Sequence, residues 1–212
     1  MNTRKQKLVK ALMDIEAISL KPAQPFTWSS GLKSPIYCDN RLIMSYPAVR
    51  SFVEDEMVKQ IKKEFPAVEG IAGTATAGIP HAAIIADKLN LPMIYVRSNN
   101  KNHGKKNAIE GRIGKNQKIV MVEDLISTGA SVISAADKVK EAGGEVIGVA
   151  SIFSYQLKES QKAFQKQNYS LKSLICYPEL IDIAVQEKNL SNYKETLSNW
   201  YKNPVKWSET VK

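Results

Sequence analysis

The sequence predicts an α/β fold, a parallel sheet flanked by helices. Three observations lead there. Short apolar runs at 68–72, 92–96, 118–122 and 146–153 read as buried strands, because both faces of each are hydrophobic. Stretches with helical spacing separate them, the alternation expected of strand–helix–strand units. The chain is 212 residues long, 43% hydrophobic and 24% charged, enough to bury a core without disulfide or metal staples.

Taken in order, residues 3–18 place Leu8, Leu12 and Ile15 at helical spacing. Pro22, Pro25 and Pro35 then exclude regular helix, so 26–38 reads as extended and rich in turns. Pro47 suits the first turn of a helix running to about residue 65. A strand at 68–72 precedes a helix at 79–89 and a strand at 92–96. About twenty polar residues follow, beginning at Arg97, before the strand at 118–122. Loops of that length without structure of their own are uncommon and are usually functional or disordered. A helix at 130–142 ends at Gly143-Gly144, a glycine C-cap. The strand at 146–153, a short one at 174–177, and helices at about 179–188 and 192–201 complete the pattern. No internal repeat or low-complexity segment interrupts it.

The net charge is +9, which invites a polyanionic partner. Its distribution is uneven: residues 97–118 hold six of the nine net charges, and an acidic stretch follows at once. A basic face for nucleic acid needs no such arrangement. The two cysteines, Cys38 and Cys176, form no disulfide framework and read as packing residues of a reducing compartment. The charged start lacks the apolar core of a signal peptide, and no run approaches the ~18 apolar residues of a membrane span. The expected setting is cytoplasmic.

The sharpest signal is Ile119-Val-Met-Val-Glu-Asp-Leu-Ile-Ser-Thr-Gly-Ala-Ser131. A buried strand leads to two carboxylates, Glu123 and Asp124, then to a turn of small residues opening a helix. In open α/β sheets ligands bind beyond the carboxyl ends of strands. A helix N-terminus there offers backbone N–H groups to an anion. Ser127, Thr128 and Ser131 add hydroxyls, and Gly129 permits close backbone approach. Two carboxylates before a phosphate cradle would repel a bare phosphate, but they can accept hydrogen bonds from sugar hydroxyls, or help organise a metal, while the turn beyond holds a phosphate. A ribose phosphate satisfies both halves. The plainer alternative makes Asp124 a helix cap and Glu123 a solvated side chain. It explains one carboxylate well and the pair poorly. Neither a Walker A loop nor a G-x-G-x-x-G fingerprint occurs.

The segment Val122-Glu-Asp-Leu-Ile-Ser-Thr-Gly-Ala-Ser131 resembles the phosphoribosyl-pyrophosphate (PRPP) signature of the type I phosphoribosyltransferases. Three further segments narrow the resemblance to the orotate-using members of that family. They are the stretch from Phe26 to Arg41, the loop Gly73-Thr-Ala-Thr-Ala-Gly-Ile-Pro80, and the basic stretch from Arg97 to Gly104. All four occur in family order, over about residues 10–190. The resemblance implies one phosphoribosyltransferase domain on the type I fold, with a core at about 65–178. A small hood would come from about 1–45 and 178–212. It implies PRPP and orotate as substrates, Mg²⁺ held mainly by PRPP oxygens and water, and a homodimer with shared active sites. Neither nucleic acid nor membrane is an expected partner.

Site roles follow from the same resemblance. Glu123 and Asp124 would bind the ribose hydroxyls. Leu125, Ile126, Ser127, Thr128, Gly129, Ala130 and Ser131 would wrap the 5′-phosphate, with Ser127 also touching orotate. Thr76 and Ala77 fall in the pyrophosphate loop. Arg97, Lys101 and His103 would cover the pyrophosphate from the neighbouring subunit. Together with Asp124 they are the expected catalytic residues. Tyr37 and Cys38 fall where backbone meets the pyrimidine, and Lys33 is a candidate for the orotate carboxylate. Three positions depart from the pattern: Ser29 and Ser98 stand where some members carry Lys, and Tyr155 near an Arg position.

The bland readings weigh differently elsewhere. His81, on an Ala/Ile-rich helix, reads as a satisfied packing histidine. Trp28 and Tyr37 could stack on a pyrimidine but equally belong to a core. Trp200 and Trp207 read as packing residues. Two rival functions share the fold: a purine-type phosphoribosyltransferase, against which the 26–41 segment speaks, and a PRPP-sensing nucleic-acid-binding regulator. The second lacks any helix-turn-helix or added wing domain.

Overall fold

The computed structural model describes residues 3–28, 30–97, 108–187 and 190–211. The chain opens with α1 (Arg4–Asp14), whose N-terminus carries a capping box: Thr3 accepts from the Gln6 N–H, and the Gln6 side chain accepts from the Thr3 N–H. Short strands β1 (Ile18–Leu20), β2 (Phe26–Thr27), β3 (Lys33–Ser34) and β4 (Ile36–Cys38) form two antiparallel ribbons, β1 with β4 and β2 with β3. A 3-10 segment, Asn40–Ser45, leads into α2 (Pro47–Glu64). Then come β5 (Gly70–Thr74), α3 (Gly78–Leu89), β6 (Met93–Val96), β7 (Ile109–Glu110) and β8 (Lys118–Ile126). They are followed by α4 (Ala130–Glu141), β9 (Glu145–Ser154), α5 (Lys158–Gln167) and β10 (Leu171–Cys176). Helices α6 (Tyr177–Glu187), α7 (Lys194–Lys202) and α8 (Pro204–Thr210) end the chain.

Two units divide these elements: Met1–Val49 with Ile175–Lys212, and Arg50–Leu174. The second holds the main sheet, in the order β10-β9-β8-β5-β6-β7. Strands β6, β5, β8 and β9 run parallel, as the alternation of runs predicts. From β5 the chain steps outward to β6 on one side, then returns to place β8 on the other. The carboxyl ends of β5 and β8 therefore flank a topological switch point, the place where such sheets bind ligands. The core lies between strand residues such as Ala72, Ile119 and Met121 and the helical stripe Val132, Ile133, Ala135, Ala136 and Val139 of α4. That helix ends at the glycine pair: the Gly143 N–H donates to Lys140 O and the Gly144 N–H to Val139 O.

The structure corrects several expected bounds. Strand β8 continues four residues past 122, because Glu123 and Ile126 stay paired with Ser151 and Ser154 of β9. The polar excursion after β6 is shorter than twenty residues, because β7 pairs antiparallel with β6. Helix α5 has no counterpart in the sequence reading; it buries only Ser160 and Phe164, too few apolar positions to show a period. Helix α8 was likewise not anticipated.

In the first unit Trp200 is fully buried. Its ring meets Trp28 edge-on at 5.8 Å and Tyr177 at 4.9 Å. The Trp28 indole N–H donates to Ile36 O at 3.2 Å. Both tryptophans pack in this aromatic cluster, and Trp207 is half-buried.

Candidate active site

A cleft of about 280 Å³ opens at the switch point, large enough for a sugar phosphate. Its lining is Ala75, Thr76 and Ala77 after β5, and the unbroken run from Glu123 to Val132, from the end of β8 into α4. The sequence-predicted pyrophosphate loop, acid pair and phosphate turn thus meet in one place. They do so because β5 and β8 are hydrogen-bonded neighbours, Gly73 opposite Val122.

The acid pair stands in strand geometry. Glu123 is buried and Asp124 half-buried. The Asp124 N–H donates to Glu123 Oε1 at 3.2 Å. Burial, then the adjacent Asp124 charge, pushes the Glu123 carboxyl up to about 9. At neutral pH the pair therefore holds a proton, offering one O–H donor beside several acceptor oxygens, a mixed set that hydroxyl groups can meet. Helix α4 settles the alternative for Asp124. Its N-cap is Gly129, at φ 83°, and no side chain caps it. Asp124 lies five residues upstream and is not the cap.

Gly129 carries two demands at once. Its positive φ disfavours any L side chain. An added Cβ would also lie 2.6 Å from Phe164 Cε2, so α5 closes the turn from behind. Gly78, which opens α3, has a similar constraint: a Cβ there would lie 2.5 Å from Val122 O. The uncapped start of α4 points its N–H groups and the positive end of its dipole at the cleft. Ser127 is half-buried there; Thr128 and Ser131 are exposed.

Arg97 sits at the base of the basic stretch. Its N–H donates to Ala108 O at 2.8 Å, and Nη1 lies 3.1 Å from Glu110 Oε1. The Lys138 ammonium of α4 donates to Arg97 O at 3.1 Å. Sequence reasoning missed the Lys138 contact, since nothing local marks a contact spanning 41 residues. Lys101, His103 and Ser98 lie outside the described residues, as does Ser29.

The expected orotate residues belong to the other unit. Lys33 in β3 donates its N–H to Ser208 Oγ at 2.8 Å. Tyr37 in β4 is exposed, with its ring 5.5 Å from Phe26. Cys38 is buried beside Asn40, its Sγ 3.5 Å from Asn40 Oδ1. Tyr155 is buried edge-on against Phe153, its N–H donating to Ile126 O at 2.9 Å; it joins β9 to the end of β8. His81 is fully buried, but the expectation of a satisfied packing residue holds for one nitrogen only. Nδ1 meets Glu54, while Nε2 has no hydrogen-bond partner among the described residues.

Comparison with known proteins agrees with this geometry. Residues 55–192 match the family model described as "Phosphoribosyl transferase domain". The chain is 49% identical over 210 residues to an orotate phosphoribosyltransferase of Listeria monocytogenes, covering 99% of this chain and all of that one. It is 52% identical over 205 residues to one from Enterococcus faecalis, covering 96% and 98%. The crystal structure of orotate phosphoribosyltransferase from Aeropyrum pernix shares the fold, with a TM-score of 0.73 at 24% identity over 86% of this chain and 98% of that one. The family match over residues 55–192, together with identity near one half over nearly the whole chain, places the chain in the phosphoribosyltransferase family, among its orotate phosphoribosyltransferases.

Proposed function

We infer that the chain transfers the phosphoribosyl group of PRPP to orotate, giving orotidine 5′-monophosphate and pyrophosphate, a step of pyrimidine biosynthesis. One observation carries this: the acid pair and the uncapped, glycine-led start of α4 share one cleft. The full-length orotate phosphoribosyltransferase relatives supply the base.

In the reaction the bond from C1 of the ribose to pyrophosphate breaks, and its electron pair leaves with pyrophosphate. A bond from the orotate nitrogen to C1 forms. Orotate carries its charge on the carboxylate; the proton on the attacking ring nitrogen leaves as the new bond forms and passes to an oxygen of the departing pyrophosphate, so no strong protein base is needed. Asp124 and Glu123 accept from the ribose hydroxyls and orient the ring. The run from Leu125 at the end of β8 to Ser131 in the first turn of α4 holds the 5′-phosphate through N–H groups and the Ser127, Thr128 and Ser131 hydroxyls. Thr76 and Ala77 face the leaving pyrophosphate. Arg97 meets it with a fork of donors, Lys101 as a point charge, and His103 as a third donor. The Tyr37 and Cys38 backbone receives the pyrimidine, and Lys33 its carboxylate.

Mg²⁺ fits as part of the substrate. The cleft presents hydroxyls, N–H groups and one acid pair, a lining that suits a hydrated ion riding on phosphate oxygens. When bound there it would supply positive charge beside the leaving pyrophosphate. The protein works as a homodimer in which Lys101 and His103 serve the partner's site. Its setting is the cytoplasm; among the described residues no helix is long and apolar enough to cross a membrane.

The test is the PRPP-dependent loss of orotate absorbance with purified protein, beside a screen of purine bases. Formation of AMP or GMP without orotidine phosphate would sink this reading.

A further inference from the structure

Behind the pyrophosphate loop lies a buried pair that the reaction chemistry does not use. Glu54 of α2 and His81 of α3 are both fully buried. His81 Nδ1 lies 2.5 Å from Glu54 Oε1. Among the described residues, Glu54 Oε2 and His81 Nε2 have no hydrogen-bond partner. A pair of this kind is costly to bury, and well-packed apolar residues of similar volume often serve stability as well or better. Stability alone therefore does not account for it.

Its position does. His81 lies in the first turn of α3, directly after the loop of residues 74–77. That loop feeds into the turn, with the Ile79 N–H donating to Thr76 O at 3.2 Å. On the sheet side the turn presses on β8 at the acid pair: a Cβ on Gly78 would lie 2.5 Å from Val122 O and 3.4 Å from Glu123 Cα. On the α2 side the same turn is held by the Glu54–His81 contact. An apolar contact lets a helix slide or rotate by fractions of an ångström. A short hydrogen bond between two fixed side chains does not.

We propose that Glu54 and His81 are positioning residues for PRPP. They hold the first turn of α3 against β8, so that Thr76 and Ala77 and the Glu123–Asp124 pair meet one substrate molecule at a fixed spacing. The proposal rests on the PRPP reading of the cleft.

The test replaces the pair by apolar residues of similar volume, Glu54→Met with His81→Leu. The thermal midpoint, kcat, both KM values and the calorimetric affinity for magnesium pyrophosphate are measured. The midpoint is expected to stay at or above that of the parent. Affinity for pyrophosphate and KM for PRPP should worsen about tenfold, as small misplacements do, with KM for orotate within about twofold. A folded double variant that binds pyrophosphate normally overturns the proposal. Should the variant not fold, the unmodified protein carries the test. It has only two histidines, so the His81 imidazole resonance is readily assigned by comparison with a His103→Gln variant. Magnesium pyrophosphate should shift the His81 Nδ1 proton, and orotate alone should not; an unmoved resonance at saturation also overturns the proposal. Failure of the orotate reading has a different signature: no orotate turnover in the parent protein, with pyrophosphate binding intact.

Discussion

Two stretches are proposed to meet the phosphates of PRPP, the turn from β8 into α4 and the basic excursion between β6 and β7, and their sequences follow opposite plans. The first is one contiguous run, walled by β9, by Gly78 at the start of α3 and by Phe164 of α5. It binds with backbone, hydroxyls and an acid pair, and carries no basic side chain. The second is rich in Lys and Arg and is fastened at its base. There Arg97 contacts Ala108 and Glu110, while Lys138 donates to the Arg97 carbonyl. The division follows from the chemistry. The 5′-phosphate and ribose are the same before and after reaction, so a rigid cradle suits them. The pyrophosphate gains charge as it leaves, and cations on a separate segment can meet that charge and then release the product.

Removing one cation should expose the difference most strongly. Lys101→Ala is expected to lower kcat by about 10²–10³, the size of effect seen when one charge-stabilising group is removed, with the thermal midpoint unchanged. Near-parental turnover in steady-state assays would show that the excursion is not catalytic. The cradle should break in the other direction, through stability first. Gly129→Val must adopt φ 83° and meets Phe164 at its Cβ. It should cost about 2–4 kcal/mol in denaturant unfolding, from left-handed strain plus overpacking. A variant of unchanged stability would mean that the turn is not the rigid half.

A third experiment asks whether the two stretches come from different subunits. Lys101→Ala and Asp124→Asn chains, each inactive alone, should regain roughly a quarter of parental activity when mixed and exchanged. Half the dimers are then hybrids, and each hybrid has one intact site. No recovery after proven exchange would place each loop over its own subunit's cleft.

The two regions were also unequally legible in the sequence. The cradle was readable because its chemistry is contiguous: Glu123, Asp124 and the run to Ser131 lie on a single strand–turn–helix. The parallel strands and the Gly143-Gly144 stop were readable for the same local reason. Contacts made across the fold were hidden. The Lys138–Arg97 bond spans 41 residues and Glu54–His81 spans 27, and hydrophobic periodicity carries no trace of either. Helix α5 was hidden because its polar surface masks Phe164, the residue that seats Gly129. The strand geometry of Asp124 was hidden too, since the apolar run ends at Val122 while β8 runs on to Ile126.

The acid pair gives the smallest effect, one of stability set by pH. Burial and the neighbouring Asp124 charge raise the Glu123 carboxyl from 4.5 to about 9. The folded state therefore binds a proton more tightly than the unfolded state does. That contribution is fully present below about pH 4.5, and it is lost as the pH rises towards 9. Glu123→Gln keeps the shape, stays neutral and removes the titration. The variant should match the parent at pH 4 and melt higher at pH 8 by about 2–4 °C for each kcal/mol recovered. A gap that stays constant across this range would mean that the pair carries no strained charge.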